Sequence, residues 1–193
     1  NVGALKNTGI EMVLNGTIIN QNGWVWKLGM NLTHYKNKVT ELPLKDMPQS
    51  GVNKLQVGRS VYDFYMKEWA GVDPDNGNPL WYMDEKDAND NLTGKRVTTS
   101  DYASANYYYV NKSSAIFAYS IGGYIYNRDI TMILHNGSLE GRDWSTEILK
   151  RWTPENRYTD VPALSTTSNN WNSASTRFLQ NNSYMRLKNL TLS

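Results

Sequence analysis

The stretch Ile10-Glu11-Met12-Val13-Leu14-Asn15-Gly16-Thr17-Ile18, the turn Asn20-Gln21-Asn22-Gly23 and then Trp24-Val25-Trp26-Lys27-Leu28-Gly29-Met30-Asn31-Leu32-Thr33 decide the fold class. Ile10, Met12, Leu14 and Ile18 fall on one face with Gly16 among them, and Glu11, Val13, Asn15 and Thr17 fall on the other. That is the period of two of a β-strand. The Asn22-Gly23 pair tolerates positive φ and reverses the chain, and a second alternation follows, with Trp24, Trp26, Leu28, Met30 and Leu32 sharing a face. The pair reads as a hairpin of strands 10–19 and 24–33. A strand of about ten residues tilted by roughly 45° crosses the hydrocarbon core of a bilayer, and tryptophans beside the turn suit the aromatic girdle at its interface. The same alternation suits a β-sandwich strand whose tryptophans fill a dry core, and periodicity alone does not separate the two.

Working outward, the whole composition is that of strands and turns. The 193 residues include seven Trp, thirteen Tyr, three Phe and 23 Asn. Aromatics favour pleated, half-buried surfaces and Asn favours turns, so an all-helical fold is not expected. Twenty Lys and Arg against 18 Asp and Glu leave a net charge of +2, too small to point to nucleic acid. Without cysteine there is no disulfide, thiolate metal site or thiol nucleophile. The mean hydropathy of −0.61 and the lack of an 18-residue apolar run exclude a spanning helix but not a barrel, whose strands are apolar on one face only. No charged and apolar leader pattern opens the stretch at Asn1, so any export signal is expected to lie outside it, and the chain reads as part of a longer protein.

From Lys36 to about Tyr109 the alternation fails. Leu42-Pro43, Met47-Pro48 and Asp73-Pro74-Asp75-Asn76-Gly77-Asn78-Pro79 interrupt regular elements, the last between Tyr65–Ala70 and Leu80–Tyr82, which predicts a short hairpin. Ala115 to Tyr126 returns to strand character, with Gly122-Gly123 marking a bulge. Trp144 to Trp152, opened by Asp143 and closed by Thr153-Pro154, predicts the one helix. Asn156 to Ala174 is a polar loop, and Tyr184 to Leu192 a final strand.

Titratable chemistry is sparse. His34 and His135 lack any metal-ligand or acid–base spacing, and Asp84, Glu85, Asp87 and Asp90 read as a solvated face rather than a carboxylate pair. Asp73-Pro74-Asp75-Asn76-Gly77 resembles a calcium loop, but Gly77 stands where a third ligand is needed and Asp84 where a glutamate would close the site. A plain turn is expected. No enzyme activity, cofactor or metal is therefore expected. Seven Asn-x-Ser/Thr matches are what so many Asn, Ser and Thr produce by chance. The aromatic residues outside the strong alternations, Trp69, Trp81, Tyr82, Trp144, Trp152 and Trp171, are suited to stacking on sugar rings or pinning peptides, and equally to packing a large ordered loop.

Several phrases in order carry a resemblance: Asn1-Val2-Gly3-Ala4-Leu5-Lys6-Asn7-Thr8-Gly9-Ile10-Glu11, Phe64-Tyr65, Ala70-Gly71-Val72-Asp73-Pro74 with Gly77-Asn78-Pro79-Leu80-Trp81-Tyr82, and Tyr119-Ser120-Ile121-Gly122-Gly123. They continue with Asp143-Trp144-Ser145-Thr146-Glu147-Ile148-Leu149, Arg151-Trp152-Thr153-Pro154-Glu155-Asn156, Ser168-Asn169-Asn170-Trp171-Asn172-Ser173 and Tyr184-Met185-Arg186-Leu187-Lys188-Asn189-Leu190-Thr191-Leu192. The series resembles SusC/RagA-type TonB-dependent outer-membrane receptors. The resemblance implies an all-β fold, a transmembrane antiparallel β-barrel of 22 strands with long extracellular loops, of which residues 1–193 form a C-terminal portion lacking the plug domain and the final strands. It implies localisation in the bacterial outer membrane and nutrient import together with a SusD-like surface lipoprotein. TonB would act through the absent plug, the cargo would be an oligosaccharide or peptide, and outer-membrane lipid would surround the wall, with no nucleic acid involved. On this reading segments 36–109 and 127–175 are extracellular loops, the hairpin 10–19/24–33 is lipid-facing wall, and the substrate-binding candidates are Trp81, Tyr82, Trp144, Trp152 and Trp171. The family carries roughly another strand between Tyr107-Tyr108-Tyr109-Val110 and Ala115-Ile116-Phe117-Ala118, where this chain has only Asn111 to Ser114. Losing one strand would reverse the later ones, so residues missing between Val110 and Ala115, or a local rebuilding, are expected rather than a native short connection. An incomplete barrel leaves open strand edges, so the chain is not expected to fold alone. The alternative is a secreted β-sandwich glycan-binding module.

Overall fold

The structure, a computed structural model, describes residues 3–45, 47–113, 124–127, 146–165 and 170–181, with the side chains of Leu32, Lys112 and Ser113 excepted. Its described part is all-β apart from two short 3-10 turns. Strands β1 (Ala4–Gln21) and β2 (Trp24–Glu41) form the expected hairpin, each of 18 residues. At ~3.4 Å per residue each is about 60 Å long, well beyond a ten-residue crossing. Asn22 and Gly23 take φ of 54° and 82°, the two positive values that an Asn-Gly turn supplies.

The register places Met12 opposite Leu32, Leu14 opposite Met30 and Gly16 opposite Leu28, so the apolar residues share one face as the alternation requires. A shift between Thr17 and Ile19 then corrects the expected pattern: Ile19, not Ile18, sits opposite Trp26. A bulge is an extra residue in one strand, and a period of two read straight through it assigns every later side chain to the wrong face. Every described residue of β1 is exposed, and on β2 Trp24, Leu28 and Met30 lie open as well. A sandwich strand buries one face in its own chain. Within the described residues this hairpin has no second sheet against it.

The segment from Lys36 onward is more regular than expected. β2 runs on to Glu41, and then β3 (Asp63–Lys67), β4 (Trp69–Val72), β5 (Pro79–Lys86), β6 (Leu92–Thr99) and β7 (Tyr107–Ser113) follow. β3 pairs with β7, and β4-β5-β6 make an antiparallel sheet. The predicted hairpin across Asp73–Pro79 is β4–β5. Register shifts between Asp63 and Tyr65, Trp69 and Gly71, and Asp84 and Lys86 interrupt these ladders, which is why no clean alternation is visible in the sequence. The expected helix is instead a 3-10 turn, Thr146–Lys150, with Ile148 as its one buried residue. So short a segment with a single anchoring side chain does not sustain an α-helix. β8 (Tyr124–Tyr126) pairs with β9 (Leu179–Asn181) and preserves the end of the expected 115–126 strand. The remainder of that strand, His135 and the expected strand 184–192 lie outside the described residues.

The loops fold back onto the outer end of the hairpin. The Val39 N–H donates to the Arg59 carbonyl at 2.8 Å, and the Gly58 N–H donates to the Val39 carbonyl at 2.8 Å. The Val61 N–H donates to Asn37 Oδ1 at 3.0 Å. Val39 is left 1% exposed. The face carrying Asn37 and Val39 is thus covered by the loops, while the opposite face of the hairpin stays bare.

Candidate functional site: an aromatic loop unit

Trp81 lies at the centre of the loop unit, on the middle strand of its three-stranded sheet, and is 0% exposed. Trp69, opposite it in the ladder, meets it edge-on at 5.8 Å between centroids, and Tyr102 does so at 5.2 Å. Neither ring face is open to a ligand. Trp81 was a stacking candidate in the sequence and is a packing residue in the fold, because β5 is flanked on both sides and closed by the segment 174–178. That segment is held by the Tyr102 hydroxyl donating to the Ala174 carbonyl at 2.8 Å and by the Trp69 N–H donating to Thr176 Oγ1 at 2.9 Å. The Arg177 guanidinium lies 5.0 Å over the Trp69 ring. Burial lowers its pKa to about 10, against the opposing charge of Asp160.

Lys67 is buried in the same core. Its ammonium donates to the Tyr102 and Ala103 carbonyls and lies 4.2 Å from the Tyr102 ring centroid and 5.1 Å from that of Tyr107. Desolvation lowers its pKa and the nearby Asp101 counters it. A buried cation held by carbonyls and rings is an anchor.

The turn 73–78 is where the second loop seats itself. Asp73 spends both carboxylate oxygens locally, accepting from the Asp75 N–H at 2.9 Å and from Asn76 Nδ2 at 2.7 Å. This is the plain turn expected, and among the described residues no cluster of three or more metal-ligating side chains occurs. Trp152 Nε1 donates to the Pro74 carbonyl at 3.1 Å, and Arg157 Nε donates to the same oxygen at 2.7 Å. Arg157 also pairs with Asp75, and the Ala163 N–H donates to the Gly77 carbonyl at 3.0 Å. Gly77, at φ 77°, lets the Trp152 ring lie on its backbone: a Cβ there would come within 2.7 Å of that ring and of the Ala163 methyl.

Beside this seam opens a cavity of about 470 Å³ lined by Gly71, Lys150, Asn156, Tyr158, Thr159 and Asp160. Tyr158, 92% exposed, projects at its rim and was not singled out by the sequence, where it stands in a polar run with no pattern to mark it. Of the predicted site residues, Tyr82, Trp152 and Trp171 are half-buried on this loop unit, Trp81 is enclosed, and Trp144 lies outside the described residues. On the flank of β5 the Tyr108 hydroxyl donates to Asp84 Oδ1 at 2.9 Å, and Arg96 stacks 3.9 Å over its ring while pairing with Glu68 at 2.8 Å. Burial, then the Asp84 bond, push Tyr108 up to about 12. The other candidate acids are likewise spent on local order: Glu85 accepts from Thr93, Asp87 caps the turn 89–91, and Asp90 pairs with Lys86.

No protein-family model matches the chain. Two curated proteins of Formosa agariphila do, the TonB-dependent receptors P3 and P26, each 25% identical and aligned over 99% and 100% of this chain and 22% of their own length. The chain thus spans about a fifth of these relatives. The alignment with P3 occupies 223 positions against the 193 residues here, so that receptor carries residues this chain lacks. Among solved structures, the RagAB peptide importer in its closed-closed state is 27% identical with a TM-score of 0.73 over 94% of this chain and 22% of its own. The open-open state is 26% identical with the same TM-score, over 94% of this chain and 21% of its own.

Proposed function

Because this chain matches a segment of SusC/RagA-type TonB-dependent receptors, proteins of the Gram-negative outer membrane, we propose that it is part of the wall and outer loops of a nutrient importer. In the parent protein a closed 22-stranded barrel surrounds a plug, TonB acts on that plug, and a SusD-like surface lipoprotein delivers an oligosaccharide or peptide from above. The relatives are named as receptors and an importer, which supports import rather than catalysis as the parent's role.

The observation that carries this reading is the hairpin: two 18-residue strands, apolar and bare on one face, polar on the other, with loops folded onto only one end. A short turn at 22–23 on one side and a long elaborated loop on the other is the asymmetry of an outer-membrane barrel, whose short turns face the periplasm and long loops the exterior. The loop unit then stands above the membrane. Tyr82, Trp152 and Trp171 supply the half-exposed aromatic surface that meets cargo, Trp144 stays a candidate on its sequence alone, and Trp81 holds the unit together. Replacing Tyr82 or Trp171 by Ala in the parent receptor lowers uptake of its cargo severalfold with unchanged outer-membrane yield. Unchanged uptake in both variants would remove these residues from the substrate path.

A further inference from the structure

Four Asn-Gly pairs occur in the chain, Asn15-Gly16, Asn22-Gly23, Asn76-Gly77 and Asn136-Gly137, and the last lies outside the described residues. Such a pair is chemically self-reactive. The backbone nitrogen that follows an asparagine can attack the side-chain carbonyl carbon, and glycine, with no Cβ, neither shields that nitrogen nor restricts the backbone rotation that brings it close. Whether the attack happens in a fold depends on how firmly the asparagine side chain and the following N–H are held. The three described pairs differ in both respects.

Asn76 is held through both of its polar side-chain atoms. Its Nδ2 donates to Asp73 Oδ2 at 2.7 Å, its Oδ1 accepts from the Asn78 N–H at 2.9 Å, and the Gly77 N–H donates to the Asp73 carbonyl at 2.8 Å. The Trp152 ring and Ala163 then close over Gly77. Asn15 and Gly16 stand inside the β1–β2 ladder, opposite Gly29 and Leu28, with paired residues on either side, so bending the chain into a ring there opens the ladder. Asn22 has none of these restraints. It is exposed, its side chain makes no hydrogen bond among the described residues, and no bond leaves the Gly23 N–H. A Cβ on Gly23 would meet nothing within 4 Å. The ladder closes at Gln21 opposite Trp24, so residues 22 and 23 rearrange without breaking a rung.

We propose that Asn22 is a site of spontaneous covalent modification, converting through a cyclic imide into aspartate and isoaspartate. The Gly23 nitrogen bonds to Asn22 Cγ, the Cγ–Nδ2 bond breaks, and the amide proton of Gly23 departs with that nitrogen as ammonia. Water then opens the ring at one of its two carbonyls. Opening at Cγ leaves the main chain as it was, with a carboxylate on the side chain. Opening at the backbone carbonyl routes the main chain through Cβ and Cγ, which lengthens the turn by a methylene. Either product sets a negative charge beside Trp24, and the isoaspartate form also changes a turn whose two residues are matched to the twist of the strands. The inference stands on the exposure of this turn and is independent of the importer reading.

The test uses the full-length parent receptor in mild detergent, held in mildly alkaline buffer made with heavy-oxygen water, digested at intervals and resolved by chromatography with mass spectrometry. Synthetic peptides spanning each Asn-Gly pair give the unrestrained rates. In the receptor the Asn22 peptide splits into aspartate and isoaspartate forms that carry the heavy oxygen, at a rate within severalfold of its free peptide. The Asn15 and Asn76 peptides convert at least tenfold more slowly than theirs. Suppression of Asn22 as strong as that of Asn15 and Asn76 overturns the proposal. Conversion of Asn22 to aspartate with no isoaspartate overturns it as well, because direct hydrolysis of the side-chain amide then replaces the imide.

Discussion

Gly77 shows how much one residue carries at the seam of the loops. Its positive φ and missing side chain let the Trp152 ring rest on the backbone while Pro74, three residues back, accepts from Trp152 and Arg157. Gly77→Ala forces a methyl to within 2.7 Å of that ring and of Ala163, and neither can withdraw without losing its hydrogen bond to the turn. The variant loses about 1–3 kcal/mol from the loop unit, read as accelerated limited proteolysis between residues 146 and 165 with barrel resistance unchanged. Tyr108 gives a pH signature in the same unit. Its folded pKa, about 12, lies above the ordinary 10.0, so the neutral phenol is the form the fold favours. The stability it contributes is fully present below pH 10 and is lost as pH rises from there through about 12. Tyrosinate absorbance shows late titration from Tyr108 and from Tyr109, whose phenol is also pushed up by burial, and Tyr108→Phe removes the Tyr108 share together with that alkaline loss. The turn at Asp73 was legible from the sequence because its chemistry is local. The burial of Trp81 was not, because enclosure is set by the segment 174–178, about a hundred residues away, and no spacing within the chain announces it.

At the scale of elements, the hairpin was legible and its extent was not. Alternation marks a strand where one face is apolar and the other polar, and it fades beyond Ile10 and Thr33 because lysines replace aliphatics on the same face. The ladder continues regardless, since backbone hydrogen bonds do not depend on that contrast. Small bulged strands escape the same test, and apart from the β4–β5 hairpin, marked by its turn, the segment of β3 to β7 reads as loop in the sequence for that reason. The 3-10 turn at Thr146–Lys150 fails in the other direction, where acid-to-base ordering imitated a helix that has one buried side chain to hold it. The two faces of the hairpin make unequal demands. Leu14→Arg places a charge in the middle of the apolar face and costs about 2–4 kcal/mol near the bilayer midplane, which a drop in heat-stable, inserted receptor on gel-shift assay registers. Asn15→Arg, one residue along and on the opposite face, leaves that yield within error.

For the whole molecule, the two polar segments that the sequence separates form one body. Strand β9 with the preceding segment, the 150–163 stretch and the 73–78 turn interlock, so the loops are not independent tethers above a barrel but a single folded unit seated on one edge of a long hairpin. That unit has its own small core around Trp81, Phe64, Met66, Val161 and Phe178. The bare apolar face beneath it has none, and water is a poor solvent for so continuous a band of aliphatic surface. On the proposed reading that face meets lipid and further strands of the parent receptor flank the hairpin, which accords with a chain covering about a fifth of each similar receptor. The most direct measurement is fractionation of the full-length parent from its native host, followed by mild-detergent purification. The account predicts that it sediments with the outer membrane and co-purifies with a surface lipoprotein. A parent that remains soluble without detergent and binds sugar in that state would contradict it.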